Sequence, residues 1–193
     1  LNQELEIEFK NMLTKEEFEK ISAFFKLKDE SFAFQENHYF DTSNFSLRDK
    51  GCALRIRHKK GQYILTLKQP AKEGLLETNE PLAAEMALNM LQGAPIPGGT
   101  IKELISKMDI VPENIEYFGM LATNRVEINY QGGLLAVDHS IYLGKEDFEL
   151  EYEAKSFQQG KGIFEHLLKV LEIPIRKTEN KVRRFYKQKY AGK

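Results

Sequence analysis

Carboxylate, guanidinium and ammonium side chains recur at alternate positions along this chain and carry most of the chemistry it could perform. Glu4, Glu6, Glu8 and Lys10 alternate with Leu5, Ile7 and Phe9. Arg55, Arg57 and Lys59 oppose Leu54 and Ile56, and Thr66 and Lys68 oppose Leu65 and Leu67. Arg125 and Glu127 oppose Val126 and Ile128, while Glu149, Glu151 and Glu153 oppose Phe148, Leu150 and Tyr152. A period of two is the signature of a strand whose two faces differ. Like charges at i and i+2 sit roughly 6.5–7 Å apart and repel, so rows of one sign gain no stability by themselves. A solvated sheet face explains any one such strand. Sorting by sign over several strands calls for something that neutralises both sets. A polyanion held by Arg and Lys, and bridged by divalent metal to carboxylates, would do so. Unpaired ions in such number cannot sit in a dry interior, so the charged faces should line a wide, wet cavity with the apolar faces outward under helices.

The remaining sequence supplies elements to hold such faces. The chain has 193 residues, 41% of them hydrophobic, with 28 basic and 29 acidic side chains. That length suits one domain with a real core, and the near balance argues against coating nucleic acid by bulk charge. Thirteen Phe and eight Tyr exclude a fully disordered chain. No apolar run reaches the roughly 18–20 residues of a membrane span, and no secretory leader is visible; a soluble, cytoplasmic protein is expected. Cys52 is the single cysteine, which excludes an internal disulfide.

Strands are expected at Glu4 to Lys10, Phe32 to Phe40, Ala53 to Lys59, Gln62 to Lys68, Leu75 to Glu80, Asn114 to Tyr130, Leu134 to Leu143 and Phe148 to Lys155. Lys60-Gly61, Gln131-Gly132-Gly133 and Gly144-Lys145 read as turns. Thr14 with Glu17 forms a capping-box pattern ahead of a helix to about Phe25. Pro81 suits the first turn of a helix extended by Leu82, Met86 and Met90, and Ile101, Leu104, Ile105 and Met108 mark a second helix. This pair, about residues 81–112, is expected to be a helical insertion within a single domain spanning 1–193. An amphipathic helix at Gly160 to Leu171 and a basic one at Thr178 to Tyr190 close the chain. The class is α+β, with about eight strands in mostly antiparallel runs.

The same charged residues carry a family resemblance. Glu6-Ile7-Glu8-Phe9-Lys10 resembles the E-x-E-x-K signature of the CYTH superfamily, the triphosphate tunnel metalloenzymes. Tyr39-Phe40-Asp41-Thr42, Leu47 and Ala53-Leu54-Arg55-Ile56-Arg57 are similar to the motifs that follow it, as are Thr66-Leu67-Lys68, Arg125, Asp138 and Glu151-Tyr152-Glu153. The ordered set runs from about residue 3 to 190, and it is this order that makes it specific. The resemblance implies an eight-stranded antiparallel β-barrel, a tunnel with a charged interior surrounded by helices. It implies Mg²⁺ or Mn²⁺ as cofactor, with Glu6, Glu8, Asp138, Glu151 and Glu153 as ligands through hard oxygen. Arg55, Arg57 and Arg125 would bind phosphate oxygens bidentately, and Lys10 and Lys68 would act as point charges. Lys181 is similar to a lysine on a C-terminal helix closing one tunnel end, with Lys177 as its rival. Glu6, Glu8, Lys10, Arg57 and Lys68 are the expected catalytic set. Glu149 shares the face of Glu151 without an assigned role.

By that resemblance the protein is a metal-dependent hydrolase of a triphosphate: inorganic tripolyphosphate, thiamine triphosphate or a nucleoside triphosphate. A metal-activated water would release the terminal phosphate. A class IV type adenylate cyclase making cyclic AMP and pyrophosphate from ATP is one alternative. A non-catalytic polyphosphate- or phosphonucleotide-binding module is another. The partner is then a small-molecule triphosphate or polyphosphate, rather than membrane or nucleic acid. Glu77-Thr78-Asn79-Glu80 departs from the family pattern, Asn79 replacing an expected charge, and this bears on recognition of the organic group. His38, His58, His139 and His166 lack metal-ligand spacing, and most of the basic residues around Arg183, Arg184 and Lys187 read as the solvated face of the last helix.

Overall fold

Each alternating stretch of the sequence is a strand. The structure, a computed structural model, describes residues 2–191; of the 1–193 span expected for the domain, residues 1, 192 and 193 lie outside the described residues. In chain order the elements are β1 (Asn2–Leu13), α1 (Lys15–Phe24), β2 (Ala33–Thr42), α2 (Ser46–Asp49), β3 (Ala53–Lys59), β4 (Gln62–Pro70), β5 (Leu75–Leu82), α3 (Ala84–Leu91) and α4 (Thr100–Ser106). Then come β6 (Ile115–Tyr130), β7 (Gly133–Tyr142), β8 (Lys145–Ala154), α5 (Phe157–Val170) and α6 (Lys181–Lys189). The strands form a closed antiparallel barrel in the order β1-β5-β4-β3-β2-β6-β7-β8. No helix among the described residues is long and apolar enough to cross a membrane. The chain divides into two compact units, one built on Gln35–Leu121 with the start of β1, the other on Glu6–Phe34 and the chain from Ala122 onward.

In the first unit, β2, β3, β4 and β5 pair in sequence order. Leu54, Ile56, Leu65 and Leu67 lie on one face of β3 and β4, all fully buried. They pack into one core with Ala87 and Met90 of α3 and Ile101 and Ile105 of α4. The helical pair at 81–112 therefore covers the apolar strand face; each fully buried aliphatic side chain contributes roughly 1.5–3 kcal/mol. The opposite face carries Arg55, Arg57, Thr66 and Lys68. Boundaries differ from expectation around Pro81 and Pro70. Pro81 does not open a helix but sits in β5 opposite Ile64, because its fixed φ suits extended backbone near a strand end as well as a first helical turn. Helix α3 consequently starts at Ala84, so Met86 is exposed while Ala87 and Met90 face the core. Likewise β4 runs two residues past the expected Lys68 to Pro70, which pairs with Leu75.

The motif residue Asp41 is structural. Its carboxylate accepts hydrogen bonds from the backbone N–H groups of Leu47 (2.8 Å) and Arg48 (3.0 Å), seating the short α2 beside the end of β2.

In the second unit, β6, β7, β8 and β1 pair in that order. Val126, Leu135, Val137, Leu150 and Tyr152 form the outward core with Ile21 of α1 and Phe164, Leu167 and Leu168 of α5. Thr14 and Glu17 form the expected reciprocal cap of α1. Helix α5 starts at Phe157, three residues ahead of expectation, and passes close to the sheet at Gly160. A Cβ there would lie 2.3 Å from Ala154 Cβ and 2.8 Å from the Phe9 ring. The connecting turns are two residues long, Gln131-Gly132 and Leu143-Gly144, with positive φ at both positions as at Lys60-Gly61. That pattern matches the twist of paired strands and moves Gly133 and Lys145 from the expected turns into β7 and β8. Helix α6 begins at Lys181 rather than Thr178. Asn180 caps it, accepting from Arg183 N (2.9 Å), and Thr178 Oγ1 instead accepts from Met12 N at 2.9 Å.

Candidate functional site

Strand register in the second unit aligns charged positions into a patch. Arg125 on β6 lies opposite Asp138 on β7, Asp138 opposite Glu149 on β8, and Glu151 opposite Lys10 on β1. Asp138, Glu149 and Glu151 are buried and each offers an oxygen within 4.8 Å of the others'. Arg125 grips Asp138 bidentately, Nε to Oδ1 at 2.7 Å and Nη2 to Oδ2 at 2.6 Å, and also donates to Glu151. Lys181 Nζ reaches Asp138 Oδ2 (2.7 Å), Glu149 Oε2 (2.8 Å) and Glu151 Oε1 (2.5 Å).

Burial alone would raise the Asp138 carboxyl, but the charges of Arg125 and Lys181 outweigh it and hold the group below its ordinary value. Burial opposes ionisation of Glu151 too, and Lys181, Arg125 and Lys10 together hold it well below the carboxylate range. Burial pulls the Lys181 ammonium down, yet Asp138, Glu149 and Glu151 raise it above the usual lysine value. All these groups are therefore ionised at neutral pH. The three carboxyl groups present hard oxygen at converging positions, the donor type that hard divalent cations favour, so the residues fit such a cation.

Of the five carboxylates expected as ligands, Asp138 and Glu151 belong to this trio. Glu8 is ion-paired with Lys10 and lies opposite Glu153 in the β1–β8 register; Glu6 is half-buried and Glu153 exposed near the end of β8. Glu149 completes the trio. Its signal in the sequence was the three-fold alternation Glu149, Glu151, Glu153, which names a face but cannot say which two members lie deepest.

The last helix supplies more than one cation. Arg184 stands one turn after Lys181 and is buried, so it is not part of a solvated face. Its guanidinium donates to Glu149 Oε2 (2.6 Å) and Asp147 Oδ2 (3.2 Å), and to the Glu179 carbonyl at 2.5 Å. Tyr142 donates its hydroxyl to the same Asp147 oxygen at 2.5 Å. Lys177 is exposed.

The first unit holds a basic group on the strand faces turned away from its core. Lys68 Nζ lies 2.9 Å and Arg55 Nη2 3.8 Å from Glu77 Oε2. Arg57 Nε donates to Asn37 Oδ1 at 3.2 Å. Thr66 donates to Asn79 Oδ1 (2.6 Å), and Asn79 in turn donates to Glu77 Oε1 (3.0 Å). Asn79 thus orients the Glu77 carboxylate. Burial raises the Glu77 pKa, and Arg55 and Lys68 with the two hydrogen bonds bring it down to about 2. Arg55 Nε is buried without a hydrogen-bond partner among the described residues, a donor that a phosphate oxygen could satisfy.

A model of the CYTH domain family matches residues 4–186. The chain belongs to the CYTH family. Over 189 residues it is 49% identical to the Bacillus subtilis (strain 168) protein named "Putative triphosphatase YjbK", covering 98% of each. The crystal structure of a "putative adenylate cyclase" from Bacillus halodurans is 39% identical, with a TM-score of 0.93 over 96% of this chain and 100% of that one. A Hippeastrum protein, described as a "putative adenylyl cyclase" that reveals a dominant triphosphatase activity, shares the fold with a TM-score of 0.78 at 22% identity, over 97% of this chain and 98% of that one. In this CYTH chain the carboxylate trio lies on the faces of β7 and β8 opposite the core under α1 and α5, and the basic group lies on the faces of β3 and β4 opposite the core under α3 and α4.

Proposed function

We propose that this CYTH protein is a metal-dependent triphosphatase that releases the terminal phosphate of a short triphosphate. The observation that carries the proposal is the trio Asp138, Glu149 and Glu151, three buried carboxylates with oxygens within 4.8 Å of one another, built into a triphosphatase-like family fold. In this reading they hold Mg²⁺ or Mn²⁺, with Glu6, Glu8 and Glu153 as further carboxylates of the same strand faces. A divalent cation bound there supplies charge neutralisation for phosphate oxygens and lowers the pKa of a bound water.

The chain's own residues then divide the remaining work. Arg55, Arg57 and Lys68 take phosphate oxygens, the orphaned Arg55 Nε among the donors, and Glu77 yields its two cations to the anion. Arg125 keeps Asp138 and Glu151 ionised and oriented, and Lys10 and Lys181 add positive charge toward the substrate. Phosphoryl transfer asks the protein mainly for such positioning and charge stabilisation. No side-chain nucleophile is assigned; Cys52 is buried in the apolar core.

The test is phosphate release from tripolyphosphate and nucleoside triphosphates with Mg²⁺ or Mn²⁺ added. Arg57→Ala or Glu151→Gln should lower kcat/KM by about 100-fold or more, the scale seen when one electrostatic partner of a transition state is removed. Absence of release from every triphosphate tried overturns the proposal. The 39% identical relative named for adenylate cyclase keeps a second reading in view. With ATP, cyclic AMP and pyrophosphate would support the cyclase, and ADP and phosphate the triphosphatase.

A further inference from the structure

Lys181 occupies the position a metal ion would need. Its Nζ lies 2.5–2.8 Å from an oxygen of each of the three carboxylates, one ammonium spending its three donors on the whole trio. Other cations hold the trio as well: Arg125 takes both Asp138 oxygens and the second Glu151 oxygen, and Arg184 shares Glu149 Oε2 with Lys181. A divalent cation binding the same oxygens at 2.0–2.6 Å would sit almost where the ammonium is, in buried surroundings where like charges repel strongly. The two cannot share the site.

We propose that Lys181 is a resident cation of the trio which divalent metal displaces, and that its release delivers an ammonium to the triphosphate. The inference rests on the reading that Asp138, Glu149 and Glu151 hold metal. The helix need not leave for the exchange to occur. Arg184, three residues further along α6, stays moored to Glu149, Asp147 and the Glu179 carbonyl, and Asn180 caps the first turn. Only the flexible four-carbon stem of Lys181 has to swing. Replacing one positive charge by two also leaves the patch more positive by one, and the freed ammonium adds to it. Metal binding therefore prepares the site for a polyanion, and the order of binding is metal first, triphosphate second.

Two measurements test this. Calorimetric titration with Mn²⁺ compares the wild type with Lys181→Met, which removes the competing charge at similar length, and Lys181→Arg, which keeps it. Lys181→Met should bind Mn²⁺ at least tenfold more tightly than wild type, and Lys181→Arg should not. Equal affinity in wild type and Lys181→Met would overturn the exchange while leaving the metal reading intact. No binding by any of the three would overturn the metal reading and the exchange with it. The second measurement needs no variant: reductive methylation of the wild type, read by mass spectrometry at Lys181, should rise at least fivefold when Mn²⁺ is added. Labelling that stays level or falls would overturn the exchange, even if Lys181→Met proved unable to fold.

Discussion

Glu77 concentrates at one residue the tension between folding and binding in the basic group. Its carboxylate neutralises Lys68 and Arg55 and is oriented by Asn79, which makes it a stabilising partner and a competitor for the phosphate proposed there. Its pKa of about 2 lies below the ordinary value of 4.5, so the stability it contributes is fully present above about pH 4.5 and is lost as pH falls toward 2. Asp138 and Glu151, also held low, lose stability in the same direction. Urea unfolding at pH 5 and pH 3 should show a smaller fall in midpoint for Glu77→Gln than for the wild type. An unchanged fall would mean that Glu77 is not the partner Lys68 relies on. The sequence marked Glu77 only as part of a stretch that departs from the family pattern and could not assign its partners, because Lys68 and Arg55 reach it only through the β3–β4–β5 register.

Elements were legible wherever their signal was local. The three hairpins, the Thr14–Glu17 cap and the strand alternations follow from backbone preferences within a few residues. Boundaries shifted where two local solutions were nearly equal, as at Pro81, whose φ serves a strand end or a helix start, and the strand solution leaves Met86 out of the core. Helix α5 shows how packing adds a constraint that propensity does not contain. Gly160 is a poor helix former by about 1 kcal/mol relative to Ala, yet an added methyl would run into Ala154 and the Phe9 ring. Gly160→Ala should therefore destabilise the protein by roughly 1–3 kcal/mol through overpacking, measured by urea denaturation. A stabilised variant would mean that the helix–sheet approach is looser than 2.3 Å implies.

At the scale of the whole molecule, 28 basic and 29 acidic side chains nearly cancel, while the barrel sorts them into a basic group in one unit and a carboxylate trio in the other. The proposed reaction gives each group its own share of the work, phosphate oxygens to the basic group and metal to the trio. Residues that work as one unit show strongly non-additive losses. The Arg57→Ala, Glu151→Gln double variant should then have a kcat/KM no more than about tenfold below the worse single variant, against the roughly 10,000-fold loss expected if two losses of 100-fold were independent. Fully additive losses in steady-state kinetics would separate the two groups' functions. Strand period is a property of neighbouring residues, and so the sequence alone determined that eight alternating stretches exist, which charges share a face, and which family their order resembles. Only the tertiary structure decided that Glu149 joins the trio, that Lys181 rather than Lys177 enters it, and that Arg184 is buried beside it. Those assignments depend on strand register and on where α6 docks, contacts between residues far apart in the chain, and a pattern of alternating side chains carries no information about either.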